Sequence, residues 1–395
     1  MTVGANFPGM INPTALRGTL GLALAMGMGR FFYTPVLPLM VAALQWSSAP
    51  GAWIATLNYV GYFIGSLVIA RGWVEPTRGI YRSSLIVSTL CLAVIPLTSN
   101  LIWQGSVRTL AGIASGLIFV CITQRIPFVA RRPADSGLVY AGIGTGILIS
   151  GAIVLIAGSL VDWRELWLIC ALLSAVFTAI AWTWPMPARG GDGVASPPAE
   201  VVGASAHPAV TPTAPIVRRA MAALTAGYFF QGFGYIIIGT YLVVLAKPVF
   251  GETAAASTWV VAGIATAASP LIWSNIAARI GTRRGLVVCY CLQVGGAVLA
   301  VFGTNPVLLL ISAALFGGTF VGAVMMTIGE GSQMGITAAA AKLTTWYSLG
   351  QIAGPALVAL ALSGTIIGSF IAAAIALLLA MTLTLLGSLA GNGKS

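Results

Sequence analysis

Acidic side chains are scarce in this 395-residue chain: 8 Asp plus Glu stand against 19 Lys plus Arg, with 1 histidine. That shortage argues against an enzyme, because nucleophilic and acid–base chemistry needs a hydroxyl or thiol with a positioned base beside it. Charge of either sign is low, 7% of residues, where soluble domains carry about a quarter. Cysteine is equally uninformative. Cys91, Cys121, Cys170, Cys289 and Cys291 all lie in apolar stretches and read as small core residues, giving neither a disulfide framework nor a metal-ligand spacing. No cofactor and no metal are expected. The single histidine, His207, sits among Pro, Ala and Gly with no positioned partner. Arg17 is the one basic residue before the first apolar run, which lacks a small-residue cleavage site and is expected to stay as a first helix.

Apolar sequence dominates instead: 58% of residues are hydrophobic and the mean hydropathy is +0.98. Runs fall at 16–41, 51–70, 83–99, 102–124, 137–160 and 166–184, and again at 220–246, 255–277, 286–303, 307–329, 340–362 and 366–389. About 20 apolar residues make one bilayer crossing, and a chain in hydrocarbon must satisfy its own backbone, so each run predicts a helix. The expected fold class is an all-α membrane protein of twelve transmembrane helices in two pseudo-symmetric six-helix halves. Residues 1–184 form the first half, 185–217 a flexible cytoplasmic linker rich in Pro, Ala and Gly, and 218–395 the second half.

The net charge of +11 raises nucleic acid as a partner, but its placement removes that reading. With the N-terminus in the cytoplasm, Arg17, Arg71, Arg78, Arg82, Arg125, Arg279, Arg283 and Arg284 all face inward, whereas Arg164 and Lys247 face outward. This is the positive-inside pattern, and it predicts a multi-pass protein of a bacterial inner membrane with both termini cytoplasmic. The lipid bilayer is then the main partner, and a monomer is expected. Trp46, Trp53, Trp103, Trp163 and Trp167 fall near outer helix ends and read as an interfacial belt.

The halves echo each other. Helix 1 carries Gly27-x-Gly29-Arg30 and helix 7 carries Gly232-x-Gly234-Tyr235. Glycine-rich faces recur in helix 5 (Gly142, Gly144, Gly146, Gly151) and helix 11 (Gly350, Gly354, Pro355). Such repeats mark transporters whose site lies between the halves at the midplane. Helix 4 contains Arg108-x-x-Ala111-Gly112-x-Ala114-Ser115, similar to the RxxQGxGAA motif of the major facilitator superfamily with its Gln replaced. The loop Ala278-Arg279-Ile280-Gly281-Thr282-Arg283-Arg284 resembles the superfamily's DRxGRR loop with Ala278 in place of Asp. The segments GRFFYTPVLPLM from Gly29, GYFFQGFGYIIIGTYL from Gly227, ALFGGTFVG from Ala314 and LTTWYSLGQIAGP from Leu343 resemble the YbfB/YjiJ-type branch of major facilitators. The resemblance implies the major facilitator fold and transport by alternating access. It also implies gating or structural roles for Gly112, Arg279, Gly281, Arg283, Gly350, Gly354 and Pro355.

Arg30 is the most informative residue, because a charge at the centre of a membrane helix costs at least about 2.5–3.5 kcal/mol. It shares a helical face with Gly27, Tyr33 and Thr34, and its guanidinium is a fork suited to an oxyanion; the competing reading is a structural Arg bonded to backbone carbonyls. Arg108, with Gln104, Gly112 and Ser115 on its face, is either a substrate contact or, from its place in the motif that resembles the superfamily's, a structural or gating residue. Asn58 with Tyr62, Tyr228 with Gln231 and Tyr235, and Thr344 with Ser348 and Gln351 place polar groups at helical spacing. They either line a cavity or form interhelical bonds of about 0.6 kcal/mol each. Every Asp and Glu falls in a loop, the linker or a helix end, Glu330 being the nearest titratable group. Buried cations without a buried anion point to a solute that brings the negative charge.

The expected function is secondary transport of a small anionic organic solute, with a proton or counter-anion as the candidate co-substrate. Moving one negative charge outward gains about 2.3 kcal/mol per 100 mV, which leans toward export. The alternative is a proton-antiport efflux pump for drug-like or cationic compounds. That pump wants a buried carboxylate, and the exporter motif GxxxGPxxGG is incomplete between Gly142 and Gly151.

Overall fold

The computed structural model describes residues 12–46, 48–188, 214–251, 253–334, 336–361 and 366–392. They form twelve helical spans: α1 Pro13–Leu44, α2 Ser48–Ala70, α3 Arg78–Val94, α4 Leu101–Val129, α5 Pro133–Ala157, α6 Trp163–Ala181, α7 Ala214–Phe250, α8 Ala256–Ile280, α9 Thr282–Val301, α10 Pro306–Gln333, α11 Ala339–Ala361 and α12 Ile366–Asn392. Side chains that satisfy the first free N–H groups start several of them: Asn12 on α1, Thr77 on α3, Asn100 on α4 and Asn305 on α10. Asp162 and Glu165 form a reciprocal capping box on α6. Among the described residues, 11 helices are long and apolar enough to cross a bilayer. The exception is α11, whose apolar run is interrupted by Lys342, Thr344, Thr345, Ser348 and Gln351.

Polarity is arranged inside out, as hydrocarbon surroundings require. Asn58, Gln104, Gln231, Gln293 and Gln351 are buried, while Ile102, Ile156, Leu160 and Leu172 are among the most exposed side chains. Spans α1–α6 form one half and α7–α12 the other, and equivalent helices pair alike: α2 on α4 and α8 on α10, α1 on α5 and α7 on α11. The halves meet along two seams. At α5–α8 the backbones touch, and a Cβ at Gly144 would stand 2.0 Å from the Ala267 amide nitrogen. At α2–α11 side chains meet, Ser66 reaching Ser348 at 3.5 Å and accepting from Thr345 at 3.4 Å.

Several expectations need correction. Trp163 and Trp167 are buried, because the start of α6 turns inward against the far end of α1, where Trp167 packs edge-on against Phe32. Trp53 and Trp103 are exposed, as a belt requires. Cys291 is exposed, unlike the other four cysteines, and its Sγ lies 3.3 Å from Met381 Sδ. Of the expected linker 185–217, residues 189–213, including His207, lie outside the described residues. Residues 214–217 already belong to α7, and the Pro185 carbonyl is held by Arg125 Nε at 3.1 Å.

Candidate functional site

The site begins with a break in α1. Pro13–Leu22 is α-helical, Ala23–Met28 widens to a π-helix, and regular helix resumes at Tyr33–Leu44. In the wide turn Gly29 N donates to Leu24 O (2.7 Å) and Phe31 N to Met26 O (3.0 Å); the chain then tightens, with Thr34 N donating to Phe31 O (3.2 Å). Pro35 has no N–H to continue the ladder. The carbonyls of Gly29 and Arg30 are thereby released from the helix, and Arg108 collects both: Nη1 to Gly29 O and Nη2 to Arg30 O, each 2.8 Å. A buried carbonyl without a donor is costly, so this bidentate contact makes the break tenable. Arg108 is itself held, its carbonyl accepting from Asn58 Nδ2 at 2.8 Å, and its guanidinium lies 5.0 Å from the Tyr33 ring centroid.

Arg30 points from this break toward the other half. It is 2% exposed, and its Nη2 donates to Gln351 Oε1, while Gln351 Nε2 donates to the Tyr235 hydroxyl. The guanidinium carbon lies 4.2 Å from the ring centroid of Tyr62, 5.1 Å from Tyr59 and 5.3 Å from Phe31. Such cation–π contacts contribute about 0.5–2 kcal/mol each and do not neutralise the charge. Nε and Nη1 have no hydrogen-bond partner among the described residues. The described acids Glu75, Asp135, Asp162, Glu165 and Glu330 sit in loops or near helix ends. Asp135 is nevertheless buried, accepting from Asn12 Nδ2 (3.1 Å) and the Arg131 N–H (2.9 Å), which ties the start of α1 to α5.

The structure brings Arg30, Tyr62, Tyr235 and Gln351 together. It draws Tyr33 away, because the break rotates the later part of α1: the Tyr33 hydroxyl donates to Gly51 O at 3.1 Å. Thr34 is half-buried. Thr344 donates back to Ala340 O in its own helix and Ser348 to Thr345 O. Tyr228 stacks on Tyr347 at 4.4 Å. Its hydroxyl and both side-chain polar atoms of buried Gln231 have no hydrogen-bond partner among the described residues.

An aromatic wall opposite Arg30 was not anticipated. Tyr235, Phe316, Phe320 and Tyr347 lie nearly parallel, Tyr235 standing 5.1 Å from Phe320 at 13° and 5.3 Å from Tyr347 at 11°. Trp259 joins at 6.3 Å from Phe316. Aromatics in an apolar helix read as core, so only the i, i+4 pair Phe316 and Phe320 offered a signal. Tyr59, which reaches Thr240 Oγ1 of the other half at 3.2 Å, was likewise missed beside Asn58.

The residues expected to gate or support divide by place. Gly112 lets α4 meet α2, a Cβ there standing 2.2 Å from Asn58 O, and Gly350 lets α11 meet α7, 2.1 Å from Phe229 O. Gly354 also faces α7, 2.7 Å from Phe233 O. Pro355 follows in α11 and removes the N–H that would have bonded the Gln351 carbonyl. Gly281 joins α8 to α9 with φ +88, a conformation that favours glycine. Arg279 beside it is exposed, whereas Arg283 Nε donates to Glu330 Oε1 at 3.0 Å. This pair lies on the face that carries the start of α1 and most of the basic residues.

Comparison with known proteins agrees with this architecture. The family described as "Uncharacterised MFS-type transporter YbfB" matches residues 22–385. No curated protein matches the chain. Among solved structures, the nucleoside transporter NupG (D323A mutant) superposes with a TM-score of 0.65 at 15% identity, covering 95% of this chain and 99% of its own; at that identity the likeness shows the fold. With the family match spanning nearly the whole chain and the fold shared, the chain belongs to the YbfB-type family of major facilitators and is a multi-pass membrane transporter of a small molecule, not an enzyme.

Proposed function

We propose that the chain is a secondary transporter of a small organic anion, which completes the charge of Arg30 at the midplane between the halves. The observation that carries this is one buried guanidinium with two donor nitrogens that lack acceptors, and no carboxylate beside it, among the described residues. A permanent cation at that depth is costly, and a solute oxyanion that accepts from it recovers part of the cost as binding. Gln351 and Tyr235 are the partners of the second half, and the Tyr62 ring lies 4.2 Å from the guanidinium carbon. Arg108 acts as a positioning residue that holds the break from which Arg30 projects. Each chain contains a complete site, so it works as a monomer.

The basic face lies in the cytoplasm of a bacterial inner membrane, which the positive-inside rule supports. Outward movement of one negative charge then gains about 2.3 kcal/mol per 100 mV, so export, or exchange against a counter-anion, needs no proton site. A proton-antiport pump for cations would need an acid at the midplane, and the described acids sit at helix ends and loops. A nucleoside, the solute named for the structural neighbour, is uncharged and leaves Arg30 without a counter-ion.

Flux into proteoliposomes tests the reading. Small carboxylates on both sides should give counterflow of a labelled carboxylate, and an imposed potential, interior positive, should drive net uptake. Uridine and lipophilic cations should give neither. Cation flux driven by a pH gradient, with no carboxylate flux, would overturn it.

A further inference from the structure

The two halves offer chemically different surfaces to whatever sits between them. The first contributes the charged groups, Arg30 and Arg108. The second contributes flat rings from four helices: Tyr235 of α7, Trp259 of α8, Phe316 and Phe320 of α10 and Tyr347 of α11. Their contacts are stacked: Tyr235 to Phe316 at 6.2 Å and 6°, Phe316 to Phe320 at 5.1 Å and 17°, Trp259 to Phe316 at 6.3 Å and 27°.

Tyr235 belongs to both systems. Its hydroxyl receives the Gln351 amide that also holds Arg30, and its ring stacks in the wall. The distance from the cation to the wall is therefore one glutamine side chain. Between them stands Phe31, the residue after Arg30. It meets Trp259 at 6.1 Å and 61° and Phe320 at 6.3 Å and 74°, both in edge-to-face geometry. Phe31 belongs to the first half, so any motion that parts the halves takes its ring away from Trp259 and Phe320.

From this arrangement we infer that the transported anion is an aromatic carboxylate, its oxyanion on Arg30 and its ring against the Tyr235–Phe320–Trp259 wall in the place Phe31 fills when the halves are closed. The inference rests on the anion reading above and narrows it. Parallel rings select by shape: a planar ring stacks in offset or meets them edge-on, whereas a puckered ring of equal carbon count contacts them only at a few atoms.

Equilibrium binding to the purified full-length protein, by calorimetry or thermal stabilisation, separates the terms with three probes. Benzoate is flat and charged, cyclohexanecarboxylate is puckered and charged, and benzamide is flat and neutral. Benzoate should bind about 5- to 10-fold more tightly than cyclohexanecarboxylate and about 100-fold more tightly than benzamide. Phe320→Leu and, separately, Phe316→Leu should erase the benzoate preference while leaving cyclohexanecarboxylate within about twofold. Equal binding of the two carboxylates to the unsubstituted protein overturns the ring inference and leaves the anion reading standing. Benzamide binding as well as benzoate, or no carboxylate binding, overturns both.

Discussion

Spans α1 and α7 carry the same glycine spacing at equivalent places, yet one is broken and the other continuous. In both, the first glycine lets a partner helix approach: a Cβ at Gly27 would lie 2.2 Å from Gly146 Cα of α5, and one at Gly232 would lie 2.3 Å from Tyr347 O of α11. Three residues later they diverge. In α1 the position is Arg30, beside a π-helical turn and two prolines, Pro35 and Pro38. In α7 it is Tyr235, in a helix running Ala214–Phe250 whose one internal proline is Pro248. The repeat thus preserves the packing contact while assigning the charge to one half and the ring with its hydroxyl to the other. On the proposed reading, the binding site between the halves is polar at one end and flat at the other by this means.

The two buried arginines should differ most in thermal unfolding. Arg108→Met leaves the Gly29 and Arg30 carbonyls without donors and should destabilise by about 1–3 kcal/mol for each. Arg30→Met removes an incompletely paired buried charge and should leave the midpoint unchanged or raised. Equal destabilisation by both would make Arg30 a structural residue.

The shared part of the motif is probed by Gly27→Val and Gly232→Val. Each drives a side chain into the backbone of the neighbouring helix and should destabilise by about 1–3 kcal/mol, alike in the two halves. A loss at only one position would show that the halves do not pack equivalently.

Tyr235→Phe should give the smallest effect. It keeps the stacked ring and removes the hydroxyl that receives Gln351, which should cost about 1 kcal/mol of stability and weaken carboxylate binding roughly fivefold. No change in affinity would separate Tyr235 from the Arg30 site.

Hydropathy and the charge asymmetry made the helices and their grouping legible, because a bilayer imposes length and polarity on the sequence directly. Arg30 was legible for the same reason, as a charge where charges are expensive. The break in α1 was not, although Pro35 and Pro38 stand in plain view; periodicity treated Gly27, Arg30, Tyr33 and Thr34 as one face, and the π-turn rotated Tyr33 toward Arg108. Trp167 looked interfacial by its place at a helix start, and only packing of α6 against α1 buries it. The aromatic wall stayed hidden because Phe316, Phe320 and Tyr347 resemble lipid-facing or core residues until four helices are brought together.

In the proposed transport cycle Arg30 is the cation that a solute anion completes. Charge movement on a solid-supported membrane, with the unsubstituted protein and Arg30→Met reconstituted at equal density, tests this directly. Small carboxylates should evoke transient currents in the former and none in the latter, with both proteins equally folded. Carboxylate-evoked currents that persist undiminished in Arg30→Met would contradict it.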